Sequence, residues 1–507
     1  MILLTFVDKH GILQLHYTPD DINTVKSVFS SYRKLDRLYK GCIYANDLYK
    51  LTGDSFTFKL YNSRNFLTSD HERGITELIQ KNIPFAPQDL MNLLYTYDRA
   101  PDSVRSYYKE IVDSKPPEVY TCDWTNETPH VGLVSHDFAL HPVGFMLKSL
   151  LSNYQHYLPD KSLKDNKVKV TVFNIFQTKP DSDRLTQHRS WIEKMCAVND
   201  ITFIQFKDTT EKELCDTIHK NKVDLLIELM GHTANNRLES LRGKPAKKIF
   251  SYFAYPAHPG YDFVDGVITD KFIHDGSIQE KYDLITLNSG IQSFTNVHNS
   301  PRYTYEPCKN KTCRIAIFQN SCKITQEMLN TWSVIMKARP NIVLCFKYFL
   351  YKDPDIVAKY KHEFRKRGVD VKRIQFGYSH SVDIARLYRH DIDMVWDSFP
   401  YTGGLSSSEA LEQGCPIVTI EGQSYHSRLT SSLIKHMKHF NFLIGKDHND
   451  YIRNALSLVD LYTNDIERFK KLRSNIEHVY RATPLYINEF WTFWKDIHDW
   501  CYRSEEH

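Results

Sequence analysis

Two stretches of the chain alternate short apolar runs with helical segments, and this alternation constrains the fold more than any other feature. The first stretch begins near His130 and carries five β-branched or aromatic runs of strand length. They are VGLVS (131–135), VKVTVFNI (168–175), ITFIQF (201–206), VDLLIEL (223–229) and KIFSYFAY (248–255). Helical stretches such as PVGFMLKSLLSNY and EKELCDTIHKN fall between them. This alternation predicts βαβ units and a parallel sheet.

The second stretch repeats the pattern after a Pro- and Asn-rich break, NVHNSPRYTYEPCKNKT, at 296–312. Its strand-like runs are CRIAIF (313–318), NIVLCFKYF (341–349), RIQFGY (373–378), IDMVWDS (392–398) and PIVTIEG (416–422). We therefore predict two consecutive doubly wound lobes. Ligands of such sheets lie at the carboxyl ends of the strands, so the cleft shared by the lobes is the expected site.

The two ends of the chain do not follow this pattern. Residues 1–127 mix alternating runs, ILLTF and FTFKLY, with helix-like polar stretches, show no 34-residue repeat and end in a linker-like segment. We expect an accessory domain there, to which acceptor recruitment could fall. Near the other end, PLYINEFWTFWKDIHDWCYR has apolar residues near helical spacing, which predicts a helix docked through its aromatic face. The predicted domains are 1–127, 128–300 (N-terminal lobe), 313–480 (C-terminal lobe) and 481–507 (helix).

Composition excludes several classes of protein. Apolar residues make up 41% of the chain and charged residues 25%, which are values of globular proteins. A net charge of +4 gives no argument for a nucleic-acid or membrane partner, and no apolar run is long enough to span a bilayer. The ten cysteines include no CxxC pair, which argues against a disulfide framework and a structural zinc site. Because the start also lacks a signal-peptide pattern, we expect a cytoplasmic protein.

The segment DSFPYTGGLSSSEALEQGCPIVTIEG (397–422) has the composition of an anion site. A strand leads into a turn of small residues, and a helix is expected to begin near 406–408. The amino end of a helix offers unpaired N–H groups and partial positive charge, so it attracts phosphate, and Gly403 and Gly404 keep that approach open. The serines can cap the helix or bind phosphate, and Glu409 can accept hydrogen bonds from a ribose. Taken alone, the pattern favours a simple cap by about two to one.

Taken with its surroundings, the segment DSFPYTGGLSSSEALEQGCPIVTIEGQSYHSRLTSSLI resembles the donor-binding segment of the O-linked N-acetylglucosamine transferase family, including its bacterial and SPINDLY-like members. VGLVSHDFALHP (131–142) resembles the family's Ser-x-Asp-Phe-x-x-His-Pro signature. DLLIELMGHTANNRLE, AYPAHPGYDFVDGVITD, FQNSCKI (318–324) with Trp332, and ATPLYINEF resemble further family segments. The resemblance covers roughly residues 128–500, in order and at family-like spacing.

This resemblance implies an α/β protein of the GT-B type, with two Rossmann-like lobes facing a cleft. It implies inverting transfer of a hexose, such as GlcNAc, from a UDP-sugar to a Ser or Thr hydroxyl of an acceptor protein or peptide. We expect no metal and no other cofactor, and the Asp-x-Asp at 391–393 opens an apolar strand and does not lie in a loop. A lysine and a helix terminus must then carry the charge of the leaving diphosphate.

On the donor side, the resemblance implies that Lys323 contacts the phosphates and that Asn320 is a polar neighbour. Without the resemblance, Lys323 would be a solvated surface lysine by about nine to one. The other predicted donor-binding residues are Gly403, Gly404, Ser406, Ser407 and Glu409. Ser427 and Arg428 repeat a family pair that we expect to be structural.

On the acceptor side, we expect His141 to lie nearest the reacting hydroxyl, since an imidazole can take or orient its proton near neutral pH. A phosphate oxygen of the donor is the rival base, and a lone His before Pro is otherwise structural by about three to one. Asp137 and His232 are expected to orient His141 or bind the sugar. The acids that could equally cap strand ends are Asp224, Glu228 and Asp270.

The chain also departs from the family pattern. GLS (404–406) replaces a hydroxyl-rich run, so one hydroxyl contact is lost. Ala385 stands where animal members have a histidine beside the base, and His380 is a possible substitute for that ring. Two alternatives stay open, and the missing donor contacts support the first of them. One is a catalytically weakened homologue that binds a sugar nucleotide or serves as a scaffold, and the other is a transferase with a glycan or Asn acceptor.

Overall fold

A computed structural model shows an α/β protein with two parallel sheets and a separate group of N-terminal helices. The residues that the structure describes are 2–8, 11–17, 30–83, 87–99, 118–138, 141–152, 154, 168–175, 183–234, 236–274, 276, 281–288, 290–292, 304–307, 312–378, 384–483 and 490–503. None of the helices in these ranges combines the length and apolarity that a bilayer crossing requires.

The described residues of the N-terminal part of the chain include an antiparallel hairpin, a short helical segment at 30–34 and four longer helices. The hairpin pairs β1 (Ile2–Asp8) with β2 (Gly11–Tyr17). The helices are α1 (Leu38–Thr52), α2 (Ser55–Phe66), α3 (His71–Gln80) and α4 (Pro87–Thr96), and we call these four the helical domain.

Of the two alternating runs in this region, only ILLTF is a strand. The run FTFKLY lies inside α2, where Asp54 caps the helix by accepting a hydrogen bond from the Thr57 N–H at 2.8 Å. Phe58 and Phe66 are buried on one side of that helix. A good cap and a buried face outweigh a short alternating pattern.

The N-terminal lobe is built on a seven-stranded, wholly parallel sheet. Its elements are β3 (His130–Ser135), α5 (Pro142–Ser152), β4 (Lys169–Asn174), α6 (Asp183–Val198), β5 (Thr202–Gln205), α7 (Glu211–Lys220), β6 (Leu225–Glu228), β7 (Lys248–Ser251), β8 (Gly266–Asp270) and β9 (Asp283–Leu287). The strand order is β5-β4-β3-β6-β7-β8-β9.

The C-terminal lobe repeats this design with six parallel strands. Its elements are β10 (Cys313–Ile317), α8 (Gln326–Ala338), β11 (Ile342–Lys347), α9 (Pro354–Lys366), β12 (Ile374–Gly377), β13 (Met394–Trp396), α10 (Leu405–Glu412), β14 (Ile417–Ile420), α11 (Leu429–His436), β15 (Ile444–Gly445), α12 (His448–Asn464) and α13 (Ile466–Arg481). The order is β12-β11-β10-β13-β14-β15. The prediction of two parallel-sheet lobes is confirmed.

Each run predicted as a strand in the two lobes contains an observed strand, but β8, β9 and β15 were not predicted. β8 starts at Gly266, where an added Cβ would lie 2.1 Å from the Asp283 carbonyl oxygen of β9. A glycine inside a strand marks such a close backbone approach, and it also weakens the β-branched signal. β15 has only two residues, too few for any pattern.

Both faces of the N-terminal sheet are covered by elements from outside the lobe. Alternate residues of β6 enter two cores: Leu225 and Ile227 pack with the last helix, α14 (Phe490–Arg503), whereas Leu226 packs with the helical domain. In α14, the Trp494 indole N–H donates to the Leu150 carbonyl at 3.1 Å. The aromatic face of this helix is therefore buried, as its sequence predicts.

The helical domain also binds the C-terminal lobe. The Arg37 guanidinium forms a two-point ion pair with Asp355 of α9, at 2.8 and 3.0 Å. After α4, the Asp98 carboxylate accepts hydrogen bonds from the Gln423 N–H at 2.8 Å and from the Ser427 hydroxyl at 2.6 Å. The helical domain thus holds both lobes at once.

We expect Asp98→Ala to lower the free energy of unfolding by about 1–3 kcal/mol, because it leaves N–H groups of the 423–427 turn without their acceptor. Urea denaturation measures this change. Asp123→Ala removes an exposed aspartate and serves as the control, with an expected change within about 0.5 kcal/mol. Equal stability of the two variants would contradict the assignment of Asp98 as an interdomain clamp.

Candidate active site

The topology places the predicted site residues at two switch points. Strand order reverses between β3 and β6 in one sheet and between β10 and β13 in the other. Asp137 and His141 follow β3, His232 follows β6, and Asn320 and Lys323 follow β10. The turn that contains Gly403 and Gly404, which we call the glycine turn, follows β13. Open α/β sheets bind their ligands at such points, so the predicted residues lie where the fold favours binding.

A buried carboxylate, that of Asp397, organises the C-terminal half of the site. It accepts hydrogen bonds from the Gln319 side-chain amide, the Ser398 N–H (2.9 Å), the Gly403 N–H (2.9 Å) and the Thr419 hydroxyl (2.9 Å). Burial raises the pKa of Asp397, and the hydrogen bonds and the Lys323 charge oppose that rise. Asp397 therefore joins residues that follow β10 and β13 to a residue of β14, and these three strands are neighbours.

Lys323 lies against the turn that Asp397 holds. Its Nζ donates to the Thr402 carbonyl at 3.1 Å and lies 3.9 Å from the centroid of the Tyr401 ring. Burial lowers the pKa of Lys323 to about 8, although the Asp397 charge opposes the shift. Asn320 caps the short 3-10 turn that carries Lys323, so its side-chain oxygen is engaged with backbone. The structure thus brings Lys323 to the glycine turn.

The glycine turn leads directly into α10, whose first residue, Leu405, precedes the predicted start by one position. A Cβ on Gly403 would lie 2.0 Å from the Ser407 Oγ, so only glycine fits there. The Ser407 hydroxyl pairs with the Thr430 hydroxyl at 2.9 Å. Ser406 is half-buried, and its hydroxyl has no hydrogen bond to any residue that the structure describes. Of the two serines, Ser406 is the one available to a ligand.

The N-terminal lobe closes over this turn. Gln292, which follows β9, is buried, and a Cβ added to Gly404 would lie 3.6 Å from its Nε2. The Ser408 hydroxyl donates to the Gln292 Oε1 at 3.4 Å. The turn and the amino end of α10 are therefore an interlobe element.

Glu409, in the second turn of α10, is half-buried beside a lysine. Burial raises the pKa of Glu409 to about 7, the nearby Glu412 adds to the rise, and Lys347 opposes it. Lys347 ends β11 and lies 5.9 Å from the Phe318 ring centroid. Glu409 and Lys347 can thus offer an acceptor and a donor to a nucleoside next to the predicted phosphate site.

On the N-terminal lobe, His141 and Asp137 form a pair. The His141 Nδ1 lies 3.5 Å from the Asp137 Oδ2 and 3.4 Å from the Val143 nitrogen. Although 43% of the His141 side chain is exposed, the surrounding protein displaces enough water to lower its pKa to about 4, and His136 adds to the effect. Burial raises the pKa of Asp137 to about 7. At neutral pH His141 is an uncharged, accessible imidazole beside a carboxyl group.

His232 has a different environment. It is fully buried, its Nε2 lies 2.6 Å from the Pro259 carbonyl oxygen, and its ring packs edge-on to Tyr255 at 5.1 Å. Burial lowers the pKa of His232 to about 4, so it is neutral. His232 is buried against Tyr255, so it can affect the site only by positioning the residues around it.

The three acids at strand ends hold backbone. Asp224 accepts from the His130 N–H at 2.8 Å, and Glu228 accepts from the Gly231 N–H at 2.8 Å. Asp270 accepts from two N–H groups that follow β8. Asp224, Glu228 and Asp270 therefore cap strand ends, which was the alternative to a role in binding or catalysis.

The Ser427–Arg428 pair also has structural contacts. Ser427 donates to Asp98, and the Arg428 Nε donates to the Gly422 carbonyl at 2.8 Å while its Nη1 reaches the Ile273 carbonyl of the other lobe at 3.2 Å. The pair holds the lobe interface, as we expected.

Two predictions remain open. His380 lies outside the described residues. Among the residues that the structure does describe, no three His, Cys, Asp or Glu side chains are grouped to hold a metal ion, and the need for a metal remains a matter for experiment.

Sequence reasoning missed Asp397, Gln319 and Tyr401 as site residues. Asp397 and Tyr401 lie in the segment that drew attention to the site, but an Asp after a strand reads as an ordinary cap. The Gln319–Asp397 contact joins residues 78 positions apart, which no local pattern reveals. The available signal for Tyr401 was its position, since it is an aromatic residue two places before Gly403.

Comparison with known proteins agrees with this geometry. The sequence model of glycosyl transferase family 41 matches residues 109–284 and 287–493. The chain belongs to glycosyl transferase family 41.

Curated relatives of this family-41 chain include the SPINDLY proteins of Arabidopsis thaliana and Hordeum vulgare, each named a probable UDP-N-acetylglucosamine–peptide N-acetylglucosaminyltransferase. Both are 25% identical to it, over 367 and 366 residues that make up 70% and 71% of this chain. The aligned part is 37% of either relative, so the chain spans well under half of their length.

The fold of the family-41 chain is similar to that of a solved Thermobaculum terrenum O-GlcNAc transferase mutant. The TM-score is 0.74, with 95% of this chain and 97% of that chain covered, at 20% sequence identity. The GT-B fold with two Rossmann-like lobes is therefore confirmed.

We expect Gly403→Ala to lower the free energy of unfolding by about 1–3 kcal/mol, because the new Cβ overlaps the Ser407 Oγ. Urea denaturation measures the loss. In the double variant Gly403→Ala, Ser407→Ala the nearest remaining side-chain contacts are at 3.3 Å, so much of the stability should return relative to Ser407→Ala alone. Equal costs in both backgrounds would show that Ser407 is not the obstacle.

Proposed function

We propose that the protein is an inverting, metal-independent glycosyltransferase that moves a hexose, with GlcNAc the first to test, from a UDP-sugar to a Ser or Thr hydroxyl of a protein. One observation carries the proposal. The Lys323 ammonium and the amide end of α10 are held together on one turn by Asp397. A cation and a helix terminus in this arrangement can stabilise the charge of a departing diphosphate.

In the proposed reaction, the acceptor hydroxyl oxygen bonds to the sugar C1 as the bond from C1 to the β-phosphate oxygen breaks. The electron pair leaves with the diphosphate, whose charge Lys323 and the α10 amide end stabilise. His141 accepts the hydroxyl proton. The proposal requires the tautomer whose Nδ1–H donates to the Asp137 carboxylate, in place of the hydrogen bond that Nδ1 accepts from the Val143 N–H at 3.4 Å, so that Nε2 is the basic nitrogen.

The state of the cysteines indicates the cellular compartment. All nine cysteines among the described residues are free thiols, and several of them are buried in the lobe cores. Free thiols are usual in a reducing compartment such as the cytoplasm, where we propose that the protein acts.

The donor should raise the stability of the folded protein by about 3 kcal/mol at about 100-fold excess over its Kd. The measurement is thermal unfolding with a panel of UDP- and GDP-sugars, followed by transfer to a peptide array with and without EDTA. Lys323→Ala should abolish the stabilisation. Lys366→Ala, which removes an exposed lysine of α9, should leave it intact.

His141→Ala separates binding from chemistry in the same assay. It should keep donor-dependent stabilisation and lose transfer by about 100-fold or more. Donor binding by the wild type without transfer on any peptide would favour the weakened homologue, and loss of activity in EDTA would refute metal independence. If no sugar nucleotide stabilises the wild type, the proposed function is wrong.

Donor affinity should fall as the pH rises above about 8, because only the protonated Lys323 attracts the diphosphate. Well above that pKa, the Kd for UDP should rise by about tenfold per pH unit. Titration calorimetry between pH 7 and 9.5 measures this. Lys323→Arg keeps a charge at that position and should remove the dependence. A wild-type Kd that stays constant to pH 9.5 would mean that Lys323 does not pair with the donor phosphates.

A further inference from the structure

Among the residues that the structure describes, the Lys323 ammonium contacts no counter-ion. In the part of the chain that the structure describes, no carboxylate oxygen lies within 4.0 Å of its Nζ. Its two contacts are the Thr402 carbonyl and the face of the Tyr401 ring. The nearby Asp397 carboxylate is occupied by four other donors.

This arrangement differs in consequence from an ordinary salt bridge. A carboxylate partner would neutralise the ammonium, and an incoming diphosphate would have to displace it. An aromatic face attracts a cation through its quadrupole. A carbonyl group attracts a cation through its dipole, and neither group cancels the positive charge. Lys323 is therefore oriented while its full charge remains available to an anion.

Tyr401 is itself immobilised. Its ring is buried, and its carbonyl oxygen accepts a hydrogen bond from the Ser398 hydroxyl at 2.6 Å. The Tyr95 ring, from α4 of the helical domain, packs against it with centroids 5.1 Å apart and planes at 52°. The His426 ring lies 5.8 Å away, and its Nε2 donates to the Tyr97 carbonyl at 2.9 Å. The end of α4 thus supports the surface on which Lys323 rests.

We propose that Tyr401 is a positioning residue that presents the Lys323 ammonium to the donor diphosphate, and that Tyr95 keeps the Tyr401 ring in place. The inference rests on the proposed function, and it makes the helical domain a part of the donor site. The aromatic ring carries the effect, since the Tyr401 hydroxyl has no hydrogen bond to any described residue.

The test compares Tyr401→Leu with Tyr401→Phe, which keeps the ring. Titration calorimetry gives the Kd for UDP and UMP, and for GDP and GMP, so that the result does not depend on the base. With Tyr401→Leu we expect the diphosphate Kd to rise about tenfold, with the monophosphate Kd changed by less than about twofold. Tyr401→Phe should behave as wild type for both ligands.

In a transfer assay, Tyr401→Leu should raise the KM for the sugar nucleotide by a similar factor. Tyr401→Phe should have the wild-type KM. Equal weakening of diphosphate and monophosphate would show a general structural role and overturn the proposal. So would unchanged binding by Tyr401→Leu. If the wild type binds no diphosphate, the proposed function has failed instead.

Tyr95 offers a second test, away from the ligand, that holds if Tyr401→Leu does not fold. Tyr95→Leu should weaken diphosphate binding by about threefold and spare the monophosphate, and Tyr95→Phe should have little effect. Circular dichroism checks the fold of each variant. A folded Tyr95→Leu protein with wild-type diphosphate affinity would exclude the helical domain from the donor site.

Discussion

The proposed donor half of the site depends on the Asp397 carboxylate. Burial of a charge costs several kcal/mol unless its oxygens are satisfied, and here four donors satisfy them. Those donors belong to residues that follow β10 and β13 and to a residue of β14. Because the buried carboxylate needs all four donors at once, it fixes the ends of these three strands in one arrangement. The turn is therefore organised before any ligand arrives, which is the condition for electrostatic catalysis.

The positive charge of the site follows from this arrangement. Because Asp397 is occupied by neutral donors, it stabilises the Lys323 ammonium at a distance and does not neutralise it in a contact. The close packing of Gly403 on Ser407 leads the turn directly into α10, so the helix amide end lies beside the lysine. A single anion can then meet both, as the proposed diphosphate site requires.

The sequence predicted the lobes well, because buried parallel strands are continuous apolar runs that stand out from their helices. It failed where local pattern and tertiary context disagree. FTFKLY alternates, but a cap and a buried face make it helical. His232 and His141 look alike in sequence, yet one is sealed beneath Tyr255 and the other is accessible. Burial is a property of the assembled lobes, so a lone histidine does not reveal it.

The helical domain was the least predictable part and has the widest effect on the site. It shares a core with the N-terminal lobe, pairs Arg37 with Asp355, and holds the 423–427 turn through Asp98. A hinge motion that separated the lobes would have to break one of these contacts or carry the helical domain with it. Since Tyr95 also supports Tyr401, such a motion would disturb the surface under Lys323. The contacts between the lobes and the setting of Lys323 in the proposed donor site therefore depend on one set of helices.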